Sequence, residues 1–289
     1  MAIEARQGPS ARLTAGGAAL LLLLAAGALL CLLPFLYMAS TSLKTTGETI
    51  TRNSPIPLEP GFWPTAPQWA NYARAWTTAR FSLYFRNSLV IALLTVAGVT
   101  ASSSLAAYAF AKIRFAGSRL LFAAFISTLM VPESVTLVPS FIVITRLGWY
   151  DSLAGLTVPF IASAFSIFLL RQFFAQLPNE LLESARIDGA GHGRCFLSLA
   201  LPLSRAPLFT VAFLAFVGSW NSLQWPLVVT RSERWRPITV GLTSFITEAG
   251  PQNELRMAGA VIAVIPVVLA YFLAQKQFTE AIARSGIKA

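Results

Sequence analysis

Residues 13–43 read LTAGGAALLLLLAAGALLCLLPFLYMASTSL, 31 positions between Arg12 and Lys44 without a charge. A helix crosses about 30 Å of hydrocarbon with roughly 20 mostly apolar residues, so this stretch can span a bilayer. Its apolar core, Ala15 to Ala39, is far longer than the roughly 7–15 residues of a signal-peptide core, and no clear small-x-small cleavage site follows. It reads as a retained helix. Five more intervals repeat the pattern. Arg86 to Lys112 and Arg205 to Arg231 each enclose 25 uncharged residues, and Asp151 to Arg171 and Arg256 to Lys276 each enclose 19. From Leu120 to Thr145 the only charge is Glu133. The uncharged stretch Pro237 to Thr247 has 11 residues and is too short to cross. The expected fold is all-α: a polytopic membrane protein with six transmembrane helices.

Composition agrees. The chain has 289 residues, 55% hydrophobic and 12% charged, where a soluble domain is about 25% charged. A soluble enzyme, a disordered chain, a collagen and a disulfide scaffold are excluded. Cys31 lies in an apolar run and Cys195 in a distant polar loop, so they read as free thiols. His192 is the single histidine, which argues against a histidine-built metal site. The net charge of +10 reads as basic loops facing anionic lipid, with no nucleic acid partner. Lys112, Arg114 and Arg119 crowd one short connection while the next has only Arg146. The excess of basic residues on inner loops then puts both termini in the cytoplasm. The divisions are an inner tail 1–12, a first span 13–40, an outer loop 41–83, a membrane core 84–275 and an inner tail 276–289. The outer loop sets Pro55, Pro57, Pro60, Pro64 and Pro67 among Phe62, Trp63, Trp69, Tyr72 and Trp76. Prolines discourage regular structure and tryptophans suit the interface. The loop is either a contact surface for an outside partner or a segment resting on headgroups.

The connection between spans four and five, 177–203, is the most informative. It runs LPNELLESARIDGAG over 177–191. Pro178 and the acids after it suit a helix start. Leu181, Leu182 and Ala185, with Asp188 at the end, then share a side at helical spacing. Gly189 and Gly191 should stop the helix. A second short apolar helix follows to Leu199 and Leu201, and Pro202 leads into span five. The product is a helix–turn–helix outside the membrane. It offers Ala185 and a glycine turn to close approach by another surface, or it is an ordinary amphipathic helix on lipid.

The spacing Glu183-Ser184-Ala185, three residues, Gly189, nine residues, Leu199-Ala200-Leu201-Pro202 resembles the EAA loop of ABC importer permeases. That pattern is Glu-Ala-Ala, three, Gly, nine, Ile-x-Leu-Pro. Ser184 and Leu199 depart from it mildly. The likeness extends over nearly the whole chain after the first 12 residues and narrows to the carbohydrate-uptake class, of maltose or glycerol-phosphate type. Pro34-Phe35, Ser40 to Lys44, Asn71-Tyr72, Phe85 to Ser88, Ala106 to Ala111, Pro132 to Pro139, Phe168 to Phe174 and Trp220 to Leu227 all resemble that class, although Ser222 and Gln224 depart from its commoner residues. The resemblance implies a permease in the bacterial or archaeal cytoplasmic (inner) membrane. It would pair with a second homologous permease, two ATP-binding cassette ATPase subunits and an extracytoplasmic solute-binding protein, among membrane lipids. The residues Glu183, Ser184, Ala185, Asp188, Gly189, Leu201 and Pro202 would form the coupling loop that docks on an ATPase. The chain itself would bind no cofactor and perform no catalysis, ATP and Mg belonging to the partner subunits.

Two polar islands interrupt the spans. Glu133 lies between Pro132 and Pro139, and a broken helix near the midplane often marks a solute path. It reads as a pathway residue, or as a satisfied carboxylate at the outer end or between the two permeases. Asn221 and Gln224 lie beside Trp220 and Trp225. Amides bond hydroxyls and indole faces cover C–H surfaces, so these four suit a sugar. Helix packing across a permease pair is the equal alternative. The function expected is import of a di- or oligosaccharide by alternating access. The alternatives are a glycerol-3-phosphate or related polyol-phosphate permease and, remotely, a polytopic membrane enzyme. The last would need intramembrane acid–base or metal groups beyond Glu133. No G-x-x-x-x-G-K-[ST] sequence is present, so hydrolysis of ATP by this chain is not expected.

Overall fold

The computed structural model describes residues 15–57, 59–78, 80–247 and 250–286. The expected tail 1–12 and positions 287–289 lie outside the described residues. Apart from a two-stranded ribbon of Ile246–Thr247 with Gly250–Pro251, the described residues form helices and their connections. Helix α1 (Ala15–Ser42) leaves Leu20 to Leu24, Leu29 and Leu30 all more than half exposed. A helix apolar around its circumference belongs in hydrocarbon. Helices α1, α4 (Phe81–Lys112) and α15 (Asn253–Gly286) are long and apolar enough to cross a membrane.

The other charge-free intervals are bent, which the intervals alone did not indicate. There are three crossing helices, or up to six if each bent pair counts as one span. In the third interval α5 (Ser118–Ser127) meets α6 (Glu133–Arg146), their limbs bent by 107°. Pro132 caps α6, and Val131 before it is extended at φ −87°, ψ 117°, as the clash with a proline ring requires. Pro139 stays inside α6, so of the two prolines only Pro132 marks the break. In the fourth interval α7 (Leu153–Thr157) and the turn Val158–Phe160 bend by 42° into α8 (Ala164–Gln176). The fifth consists of α12 (Arg205–Asn221), a break at Ser222 and Leu223, and α13 (Gln224–Val229).

Each break frees backbone carbonyls that lipid cannot satisfy. The Ser102 hydroxyl of α4 donates to Ile161 O, and Thr239 Oγ1 donates to Ser222 O at 2.6 Å. Gly98 lets α4 approach this closely, because a Cβ there would lie 2.5 Å from Ile161 Cγ2.

Helix α4 is the pillar. It packs on α8 and α12, while α1 lies against α15. At one end of α4, Tyr108 joins Leu170, Phe174, Phe196 and Ala200. At its other end Phe81 joins Ala75, Trp220, Ile238 and Leu255. A third cluster, Ile91, Ile144, Leu156, Trp225 and Val229, sits beside the second.

The segment 41–83 is more regular than its prolines suggest. Helices α2 (Thr46–Thr51) and α3 (Ala70–Thr78) flank the proline stretch. Thr45 and Glu48 form a reciprocal capping box at the start of α2. Glu48 also accepts from the Thr65 hydroxyl and from Thr65 N at 2.8 Å. The Thr65 hydroxyl bond is the largest cause holding the Glu48 pKa down at about 2. Lys44 is 1% exposed and gives its ammonium protons to Asn53 Oδ1 at 2.8 Å and to Gly61 O. Burial lowers its pKa, and Glu48 partly offsets this. Glu254, also 1% exposed, accepts from Thr46 Oγ1 at 2.6 Å and Thr49 Oγ1 at 3.2 Å, fastening α2 to the start of α15.

Glu254→Ala should destabilise the loop by about 2 kcal/mol, the order of a hydrogen bond to a charged group. Faster proteolysis between α2 and α3, with Glu254→Gln closer to wild type, is the expected result. Glu48 gives a pH dependence. Its folded pKa lies below the ordinary 4.5, so its contribution is complete above about 4.5 and lost as pH falls through about 2. Tryptophan fluorescence should report the loop loosening across that window, and Glu48→Gln should flatten the response.

Candidate functional site

Helix α9 (Asn179–Ile187) of the loop between the fourth and fifth intervals sits against the end of α4. Leu182 is 4% exposed and Ala185 half-buried, both against Tyr108, Phe174 and their neighbours. Leu181, expected on the same side, points outward, as does Ile187. Residues three and four apart share a face, so Asn179, Leu182, Glu183 and Arg186 lie on one side of α9, Leu182 buried and the other three exposed. These four line one polar cavity with the ends of α4 and α8 and the start of α5. Ser184, Asp188 and Gly189 are exposed. Lys112, at the end of α4, donates to Leu177 O at 2.7 Å and Asn179 Oδ1 at 2.8 Å.

The helix ends in a Schellman motif. Gly189 N donates to Arg186 O and Ala190 N to Ala185 O, both at 2.9 Å. Asp188 is the C-cap, and Gly189 follows at φ +83°, a conformation that glycine adopts without a Cβ penalty. A Cβ on Gly189 would meet nothing within 4 Å. Within this chain the glycine is there for the sign of φ, not for a close contact. Gly191 then caps α10 (His192–Cys195), which runs through a π turn, Phe196–Ala200, into α11 (Leu201–Leu203). Leu201 packs on the cluster around Tyr108, and Pro202 is exposed. The chain turns by 81° into α12 at Ser204, whose N–H is shared between Ala200 O at 3.1 Å and Leu201 O at 3.2 Å.

A cleft of about 720 Å³ opens between α4, the third and fourth breaks and α12. Glu133 lines it from the first turn of α6, where the helix dipole favours a carboxylate. Much of the remaining polar wall is hydroxyl: Ser88, Thr95, Thr128, Ser163, Ser219 and Ser222 among others. Among the described residues, no Lys, Arg or His lines it. Thr95 borders the cleft, but its Oγ1 is buried behind the wall without a hydrogen-bond partner among the described residues. The four residues of the amide–aromatic island part company. Trp225 lines the cleft, its indole N–H given to Gly155 O at 3.0 Å and its ring edge-on to Phe160. Trp220 is 2% exposed, donates to Ala263 O at 3.0 Å and stacks on Phe216, away from the wall. Asn221 and Gln224 are exposed on either side of the break and do not line the cleft. The hydroxyl wall escaped the sequence reading. Its one signal was Ser88 and Thr95, seven residues apart on one face of α4.

The other end of the cleft is fastened from above. Asn87 Nδ2 donates to Arg234 O at 2.9 Å and Arg236 O at 3.0 Å, and Ile238 N donates to Ser88 Oγ at 2.7 Å. The Asp151 carboxylate takes the amides of Arg231 at 3.1 Å and Ser232 at 3.2 Å. Burial acts to raise its pKa, but these donors outweigh it and the net shift is downward. Among the described residues, no group of three or more His, Cys, Asp or Glu could hold a metal.

The family described as "binding-protein-dependent transport system inner membrane component" matches residues 98–284. The sn-glycerol-3-phosphate transport system permease protein UgpE of Yersinia enterocolitica is 36% identical over 267 residues, 90% of this chain and 93% of that protein. The arabinooligosaccharides transport system permease protein AraQ of Bacillus subtilis is 30% identical over 263 residues, 90% of this chain and 92% of that one. A chain in the crystal structure of a bacterial ABC transporter involved in import of the acidic polysaccharide alginate superposes with a TM-score of 0.79 at 24% identity, over 90% of this chain and 95% of that one. That last likeness is of fold alone.

The open surroundings of Gly189 allow its two possible roles to be separated. If the backbone sign is what matters, Gly189→Asn should keep most of the function, since Asn tolerates the left-handed region, and Gly189→Val should lose it. Solute uptake by the assembled transporter is the measurement. Equal loss in both variants would mean that a partner surface needs the bare backbone.

Proposed function

Since the chain belongs to the family of binding-protein-dependent transport system inner membrane components, we propose that it supplies half of the membrane path of an importer for a polyol phosphate. It is a transport subunit of the sugar and polyol-phosphate class, not an enzyme, and resides in the inner membrane as a multi-pass protein. On our reading the third, fourth and fifth charge-free intervals each supply one span, giving six with α1, α4 and α15. Both termini and the loop 177–203 face the cytoplasm, and 41–83 faces outward. A second permease completes the path, two ATPases dock below, and a binding protein delivers solute from outside. ATP and Mg belong to the ATPases.

The observation that carries the reading is that one rigid helix serves both sites. Helix α4 holds α9 through Lys112 and Tyr108 at one end and walls the cleft with Ser88, Thr95 and Val99 nearer the other. From Thr95 to Lys112 the helix runs for about 25 Å at 1.5 Å per residue. An ATPase that displaces α9 therefore displaces the cleft wall with it. Such a partner biases two states by contacting them differently. The coupling residues are Glu183, Ser184, Ala185, Asp188, Gly189, Leu201 and Pro202. Leu182 and Lys112 position them.

Glycerol-3-phosphate is the solute that the relatives support best, UgpE before AraQ. Hydroxyls of the cleft would take the polyol, while the phosphate's counter-charge must come from the facing permease, because this wall offers no cation. That same wall favours a second reading, a neutral oligosaccharide, with Trp225 as an apolar face.

Vesicles containing the assembled complex and its binding protein should take up labelled glycerol-3-phosphate with ATP. Uptake of maltotriose in its place would select the second reading, and uptake of neither would defeat both. Glu183→Ala should reduce uptake about tenfold, roughly 1.4 kcal/mol of coupling, without loss of insertion. Glu133→Gln should transport better than Glu133→Leu, because it keeps hydrogen bonding at the cleft.

A further inference from the structure

The polar cavity beneath α9 is electrostatically one-sided. Lys112, Arg114, Arg119, Arg171 and Arg186 line it with His192, and Glu183 is the one carboxylate on its wall. Its volume is about 720 Å³. Among the described residues, none of these five cations makes an ion pair within 4.0 Å; the one such pair is Arg80 with Glu233, elsewhere. Three of the cations have partners: Arg186 Nη2 lies 3.3 Å from His192 Nδ1. Lys112 is tied to Leu177 O and Asn179, and Arg171 lies 4.2 Å over the Phe122 ring with its Nε donating to Phe110 O at 3.4 Å. Like charges gathered around one space repel, and an anion within it relieves the repulsion.

We infer that this cavity binds a phosphate-bearing anion, and that its occupant is the headgroup of an anionic phospholipid. Arginine and lysine are the side chains that hold phosphate, arginine through paired donors. The depth fits a headgroup, since the cavity lies where the apolar length of α4 ends at Lys112. The flank fits acyl chains, since Phe115, Leu120 and Leu121, adjacent to Arg114 and Arg119, are exposed. Basic pockets between spanning helices are a known form of headgroup site. A lipid seated here reaches Arg186 on α9 and Lys112 and Arg171 on the bundle, so it joins the loop to the spans. This goes beyond the transport reading and does not depend on the solute.

The test uses the assembled transporter in nanodiscs of phosphatidylcholine with and without phosphatidylglycerol, with retained lipid read by native mass spectrometry. Wild type should retain phosphatidylglycerol. Arg114 and Arg119 are exposed, and each basic residue near an anionic surface contributes about fivefold. The double variant Arg114→Gln with Arg119→Gln should therefore bind about 25-fold more weakly. Arg114→Lys with Arg119→Lys should restore retention, which separates charge from folding. Displacement of the lipid by millimolar inorganic phosphate would keep the anion chemistry and assign the site to a soluble phosphate. Equal retention by wild type and the Gln variant overturns the inference. So does loss of ATPase subunits from that variant in phosphatidylcholine alone, which would make the cations a protein-docking surface.

Discussion

Hydrocarbon supplies no hydrogen bonds, and every backbone group freed inside a membrane must find a partner within the protein. The bundle meets this constraint where it is most severe, at the breaks in its helices. Ser102 reaches from α4 to Ile161 O, and Thr239 reaches from beyond α13 to Ser222 O. A bend at such a point is therefore a tertiary feature, held by a hydroxyl from another element. The cleft follows from it, because bent helices cannot close against α4 along their whole length. The hydroxyls that line the cleft are of the same kind as those that satisfy the breaks.

This explains what the sequence made legible and what it did not. Charge-free intervals follow from the cost of burying charge in lipid, and they located the candidate spans from α1 to α15. The break at Val131 could be read because Pro132 excludes helix locally. Pro139 could not be told from it, since a proline inside a helix is tolerated when its surroundings re-satisfy the freed carbonyl. The bend at Ile161 depends on Gly98 and Ser102, some sixty residues away, and no local pattern records that. The island from Trp220 to Trp225 looked like one site because its residues are consecutive. The break at Ser222 gives its two indoles to different partners and leaves Asn221 and Gln224 facing away from the cleft.

The loop beyond α8 was more legible because its rules are local. A proline start, a glycine at C′ and an acid in the first turn, Glu180, are short-range features, and α9 obeys them. The inner face was read less well. Leu181 belongs by hydrophobicity and Glu183 does not, yet the geometry turns Glu183 toward a basic cavity and Leu181 away. What decides is the phase of a nine-residue helix, fixed by Leu182 against Tyr108 and by Lys112 at the helix start. The segment 41–83 went the other way: its prolines suggested irregularity, but a capping box and two buried charged residues, Lys44 and Glu254, order its flanks.

The latch between Glu254 and Thr46 joins residues 208 positions apart. Ribosomes add about 5–20 residues per second, so Thr46 emerges roughly 10–40 s before its partner exists. Through that interval α1 has no α15 to lie against, and the segment 41–83 lacks the carboxylate that fastens it. Biogenesis of this subunit thus closes as a ring, the first span waiting for the last. A nascent chain halted before Glu254 leaves the segment between α1 and α4 unfastened at Thr46 and Thr49.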